Sequence, residues 1–151
     1  MRQDDLGSVD FLYAPNTKVE NGACRFTMKH LGALLPIKIT LNEAARATEL
    51  SLTSSDTPFV LNGNVDLTAD PVTITTEGTT NSVSLALGTK ADSNGISLDA
   101  GDTTFFMLIA PVDMTGNTIL LELKNGDDVI VSKEIAGKNY KAGKAYMIEV
   151  E

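Results

Sequence analysis

The stretch Ile37-Lys38-Ile39-Thr40-Leu41 sets apolar side chains at every second position, with polar ones between them. Successive side chains of an extended backbone point to opposite faces, so this pattern predicts a strand with one buried and one solvated side. The same period runs outward in both directions. Towards the amino terminus it covers Val9, Phe11 and Tyr13, then Phe26 and Met28. Towards the carboxyl terminus it returns at Leu50 and Leu52, Val65 and Leu67, Val72 and Ile74, and Val83, Leu85 and Leu87. It closes with Tyr146, Ile148 and Val150 around Met147 and Glu149, after a turn at Lys141-Ala142-Gly143-Lys144.

Two segments refine the pattern. Phe105-Phe106-Met107-Leu108-Ile109 is apolar on both faces, which predicts the deepest, central strand, covered on both sides. Ile119 to Leu123 and Val129 to Val131 flank Asn125-Gly126, a pair that tolerates positive φ, and this predicts a hairpin that Asp127-Asp128 can lengthen. Helical signals are confined to a turn or two over Asn42 to Ala47, with Asn42 as cap, and to a short turn within residues 28–34. The Thr-rich run from Thr73 to Thr80 reads as strand plus polar loop. Roughly ten short strands, with turn residues about every ten positions, predict an all-β, two-sheet sandwich of mainly antiparallel strands.

At 151 residues the chain is long enough for one core. The expected organisation is a tail over residues 1–7 and a single sandwich domain over residues 8–151, with no linker and no internal repeat. Aromatics make up 5% of the chain and Trp is absent, so Leu, Ile and Val must fill the core. Twenty acidic against 12 basic residues give a net charge of −8 with no basic cluster, which argues against nucleic acid as a partner. No apolar run is long enough to span a bilayer, and Met1-Arg2-Gln3-Asp4-Asp5 is not an export signal, so the expectation is that any such signal was removed or lies upstream.

Candidate chemistry is sparse. Cys24 and His30 are the only thiol and the only imidazole. On an extended run their six-residue separation is about 20 Å, too far for a dyad. In register with Phe26 and Met28 they read instead as a buried small side chain and a packed, hydrogen-bonded histidine. Asn21-Gly22-Ala23-Cys24 lacks the apolar segment that a lipidation signal requires. One His and one Cys cannot build a zinc site, and Asp92-Ser93-Asn94-Gly95 fails the calcium-loop register, with Lys90 at its first ligand position and Gly101 at its twelfth. Asp66, Asp70, Asp99, Asp102, Asp113, Asp127 and Asp128 fall mostly at strand ends and turns, where aspartate bonds local backbone. Residues 137–144 are spaced wrongly for a phosphate loop and end in Ala145 where Ser or Thr would hold magnesium. Tyr13, Phe59 and Tyr140 would suit sugar binding only if exposed, and read rather as core or strand-end anchors. The expectation is no catalytic residue, no metal and no cofactor.

Several segments together resemble one family. They are Asp10-Phe11-Leu12-Tyr13-Ala14; Cys24 to Leu34 running into Pro36-Ile37-Lys38-Ile39; Phe105 to Pro111; and Tyr140 to Glu149 with Gly143 at its turn. Their order along the chain is similar to that of the C-terminal domain of fimbrillin-like surface proteins of Bacteroides-type bacteria. In the usual family spacing Lys29-His30 would directly follow the phenylalanine, whereas here Thr27 and Met28 intervene. The resemblance implies a transthyretin-like sandwich and export as a lipoprotein precursor. It implies display at the outer membrane or in a fimbrium (pilus), and partners that are other fimbrial subunits, or surface glycans and proteins in cell adhesion. In the family, polymerisation is thought to proceed by proteolytic removal of an N-terminal strand and insertion of a neighbour's strand into the groove. The elements implied here are Val9, Phe11 and Tyr13 at one end and Tyr146, Ile148 and Val150 at the other. The alternative is a non-polymerising surface module that binds a glycan or a protein.

Overall fold

The structure, a computed structural model, describes residues 10–15, 17–69, 72–88 and 94–151. Among them there is no helix, and the fold is all-β.

The strand predicted from Ile37 to Leu41 organises it. Counted in chain order it is β3, Ala33–Leu41, and Ala33, Leu35, Ile37, Ile39 and Leu41 all lie on its buried face. It is bonded on both sides. Along one edge β10, Gly101–Ile109, runs antiparallel from Gly101↔Leu41 to Ile109↔Ala33. Along the other, β15, Ile148–Val150, runs parallel, with Ile148 beside Ile37 and Val150 beside Ile39. Just before β15, the Leu34 N–H donates to the Lys144 carbonyl (2.9 Å) and the Tyr146 N–H to the Leu34 carbonyl (2.9 Å). In a parallel ladder the next residue of β3 to bond on this side is two further on, and that residue is Pro36, which has no N–H. The pairing accordingly lapses between the Leu34↔Ala145 bridge and the start of β15.

The central place therefore belongs to β3, which corrects the expectation for Phe105 to Ile109. β10 lies at the margin of the three-stranded sheet β10-β3-β15. Phe105, Met107 and Ile109 face the core, whereas Phe106 is 37% exposed. The unbroken apolar run reflects an apolar outer row and not burial on both faces.

The second large sheet has the order β13-β12-β5-β8 and is antiparallel throughout, with β5 Glu49–Ser54, β8 Ser82–Ala86, β12 Thr118–Asn125 and β13 Asp128–Ala136. Its Leu50, Leu52, Leu85, Ile119, Leu121 and Leu123 join Leu35, Ile37, Phe105 and Met107 of the first sheet in one buried cluster. The β12–β13 hairpin forms as expected. Asn125 pairs with Asp128 across Gly126 (φ 60°) and Asp127, and the register shifts between Leu123, which pairs with Val131, and Lys124, which pairs with Val129.

Asn42 to Ala47 is not helical. Ala45–Ala47 is strand β4, paired with β9, Ile96–Leu98. Ala47 is fully buried and the Arg46 Nε donates to the Asn94 carbonyl (2.7 Å), so tertiary pairing overrides a weak local preference. Three short pairs complete the fold: β1 (Leu12–Tyr13) with β2 (Lys29–His30), β6 (Phe59–Asp66) with β7 (Thr73–Thr80), and β11 (Val112–Asp113) with β14 (Asn139–Tyr140). β7 is strand over its whole length, without the expected polar loop. The β6–β7 ribbon is anchored by Phe59, which is buried, but Leu61, Val65 and Leu67 are exposed.

The carboxyl-terminal segment is fastened by Tyr146. Its hydroxyl donates to the Asn139 carbonyl (2.8 Å) and accepts from the Lys141 N–H (2.9 Å), and its ring meets buried Tyr140 edge to face, 5.1 Å between centroids. Burial pushes the Tyr140 phenol above its ordinary range. Tyr146→Phe should cost about 1–2 kcal/mol in urea unfolding, with an unchanged slope, because it removes both bonds and leaves the packing. Ile37→Ala, at the centre of the cluster, should cost about 2–5 kcal/mol in the same measurement.

Candidate functional site

The two terminal segments implied as exchange elements sit differently. Val9 lies outside the described residues. Phe11 is 69% exposed, and Tyr13 is half-buried opposite Lys29. Beyond its pairs with β2, this strand is tied by the Leu31 N–H, which donates to the Phe11 carbonyl (2.8 Å). At the other end, Tyr146 is half-buried, and Ile148 and Val150 are buried against β3. The two segments do not pair with each other, yet they border one hollow. Asp10 and His30 form one wall, Gly143, Lys144 and Ala145 another, and Gly32, Leu34 and Leu108 complete the lining around about 320 Å³.

A second hollow, of about 480 Å³, adjoins it. Phe11, Leu31, Leu108, Ile109 and Pro111 line one side, and Val60, Leu61, Val65 and Ile74 of the β6–β7 ribbon the other. Gly32 and Leu108 line both hollows. Together they make an apolar trough that passes the amino-terminal strand at Asp10 and Phe11. Glycine at position 32 is what keeps the trough open: a Cβ there would stand 2.9 Å from Leu108 Cγ and 3.3 Å from the Ile109 carbonyl oxygen. The charged groups on the walls are Asp10, His30 and Lys144.

The histidine is hydrogen-bonded, as expected, but not packed. Its Nδ1 lies 2.8 Å from Asp10 Oδ2, and its side chain is 58% exposed. Cys24, expected to be buried, is exposed, as are Phe26 (65%) and Met28 (53%). The alternation from Cys24 to His30 has no sheet behind it. Only Lys29–His30 is strand, and the chain ahead of it turns tightly at Asn21 (φ 51°) and Gly22. Among the described residues no group of three or more His, Cys, Asp or Glu is placed to hold a metal ion. Phe59 and Tyr140 are buried core residues, unable to stack on a sugar.

Of the seven aspartates expected to bond local backbone, Asp66 and Asp113 do so, and Asp70 lies outside the described residues. Asp66 accepts from the Thr68 hydroxyl (2.6 Å) and N–H (2.8 Å), and Asp113 from the Thr115 N–H (3.0 Å), bonds that hold both carboxyls below their ordinary range. Asp102 instead bonds across strands, to Lys38 Nζ (2.8 Å) and the Thr40 hydroxyl (2.7 Å), and is lowered for that reason.

The sequence profile of the fimbrillin-like family matches residues 1–151. The chain belongs to the fimbrillin-like family. A search of curated proteins gave no match. Among solved structures, the chain is similar to a candidate cell adhesion protein from Bacteroides ovatus, at 21% identity and a TM-score of 0.57, over 99% of this chain and 52% of that one. It is also similar to a candidate cell adhesion protein from Bacteroides uniformis, at 16% identity and a TM-score of 0.47, over 93% of this chain and 61% of that one. The fimbrillin-like chain thus spans about half the length of the first and under two thirds of the second, and the first supports its all-β fold. No helix among the described residues is long and apolar enough to cross a membrane.

Carboxyl titrations followed by NMR should place Asp66, Asp102 and Asp113 below the usual value of about 3.9. Because the folded values are depressed, the stability they bring is complete above the unfolded value and fades as pH falls through the folded one.

Proposed function

We propose that this fimbrillin-like chain is a non-catalytic structural or adhesive subunit of cell-surface fimbriae, and that it joins related subunits by strand exchange along the trough beside β1. The observation that carries this reading is the apolar trough between β10 and the β6–β7 ribbon, bordered by an amino-terminal strand that contributes little to the core. An added strand gains affinity from backbone hydrogen bonds and register from alternate side chains in pockets, and two hollows meeting at Gly32 and Leu108 offer such pockets.

Of the two terminal segments, the amino-terminal one fits the role of the strand that leaves. Removing β15 would strip Ile148 and Val150 from the core and unpair one edge of β3, whereas removing Asp10 to Ala14 uncovers mainly β2 and the trough. The reading takes residues 8–151 as one folding unit, corresponding to the C-terminal domain of longer family members, displayed at the outer surface of the cell. Both similar solved structures are described as candidate cell adhesion proteins, which accords with an adhesive role.

The test compares the full chain with a version lacking Met1 to Pro15, by light scattering and negative-stain microscopy. The shortened, folded chain should form concentration-dependent ladders or thin fibres while the full chain stays small. Folded monomers in both forms would contradict polymerisation through this strand and favour a ligand-binding module. Gly32→Val, which fills the trough, should suppress the assembly of the shortened chain while leaving its circular dichroism unchanged.

A further inference from the structure

The amino-terminal strand has too little ladder to hold itself. β1 and β2 pair at two positions, Leu12↔His30 and Tyr13↔Lys29, and a two-stranded pair of this length is marginal in water. Phe11 and Leu12 add little burial, being 69% and 51% exposed.

One side-chain contact closes the ladder at its end. Carried two positions on from Leu12↔His30, the register sets Asp10 opposite Gly32. Asp10 and His30 are then diagonal neighbours on one face, the geometry in which cross-strand side chains reach each other. Gly32 has no side chain to fill the space opposite Asp10, and the carboxylate reaches His30 at 2.8 Å from Oδ2 to Nδ1. Its other oxygen, Oδ1, is shut from solvent and has no hydrogen-bond partner among the described residues. A carboxylate half withdrawn from water in this way depends on the partner it has. Lys144 borders the same hollow.

We propose that the Asp10–His30 pair is a latch. It holds the amino-terminal strand on β2 and keeps an incoming strand out of the trough until it opens. The consequence for assembly rests on the strand-exchange reading; the latch itself does not.

The test is backbone amide hydrogen exchange, read by NMR on the full chain, for the wild type, Asp10→Asn, His30→Ala and the double variant. Each single variant should speed exchange about two- to five-fold at Phe11 to Tyr13 and Lys29 to Leu31, the range expected for a partly exposed ion pair. The double variant should exchange no faster than either single one, because both remove the same interaction. At a pH low enough to protonate His30, sodium chloride at about 1 M should speed the wild type and not the variants, through screening. Unchanged amides in β3 and β12 will show that the fold is intact. Unchanged exchange in the single variants, or a double variant equal to the sum of the two, would overturn the latch whatever the assembly state. Faster exchange with no oligomers in parallel light scattering would uphold the latch and count against strand exchange.

Discussion

Leu34 bonds to the carboxyl-terminal segment in both senses, donating to Lys144 and accepting from Tyr146, and much of the molecule depends on that short parallel join. It makes β3 a strand with a neighbour on each side, so the alternate apolar row from Ala33 to Leu41 becomes the middle of a core instead of its margin. A parallel neighbour cannot be supplied by a tight hairpin, and the chain must return from far along the sequence to provide it. Pro36 interrupts the join where its missing N–H would be needed, and Tyr146 compensates by tying itself to Asn139 and Lys141.

That arrangement makes the two ends of the described chain unequal. The carboxyl-terminal segment is built into the sheet through buried Ile148 and Val150. Among the described residues, the amino-terminal strand pairs with a two-residue partner and is closed by the Asp10–His30 contact. Of the two, the second contributes less to the core, and the apolar trough runs past it. On the proposed reading, a subunit that accepts a neighbour's strand needs a rigid body and a lightly held edge, and the two properties fall to opposite ends of the described chain.

Much of the fold was legible because burial on one face of a sheet imposes a period of two, and Ile37-Lys38-Ile39-Thr40-Leu41 obeys it. The β12–β13 hairpin was legible in Asn125-Gly126 because few residue pairs accept that turn. Where the pattern misled, its ambiguity has a physical origin. An apolar run such as Phe105 to Ile109 is compatible with a strand covered on both faces and with a marginal strand that carries an apolar outer row. The alternation around Phe26 and Met28 was not backed by a partner sheet, and periodicity alone cannot report one. At the site, the family resemblance pointed to the terminal strands, and Asp10 opened the motif that carried it. The pairing of Asp10 with His30 and the meeting of Gly32 with Leu108 are products of register, which no local signal encodes. Leu61 and Val65 of the β6–β7 ribbon gave no hint that they would wall a trough.

Strand exchange requires that the amino-terminal strand occupy a site which another copy of an extended segment can fill. The most direct measurement is a two-dimensional amide NMR titration of the chain lacking Met1 to Pro15 with a synthetic peptide of those fifteen residues. Strand exchange predicts saturable shifts centred on Lys29 to Gly32, Leu108 and Ile109, with the buried face of the β12 sheet undisturbed. Absence of shifts, or shifts centred on the far edge at β13, would contradict it.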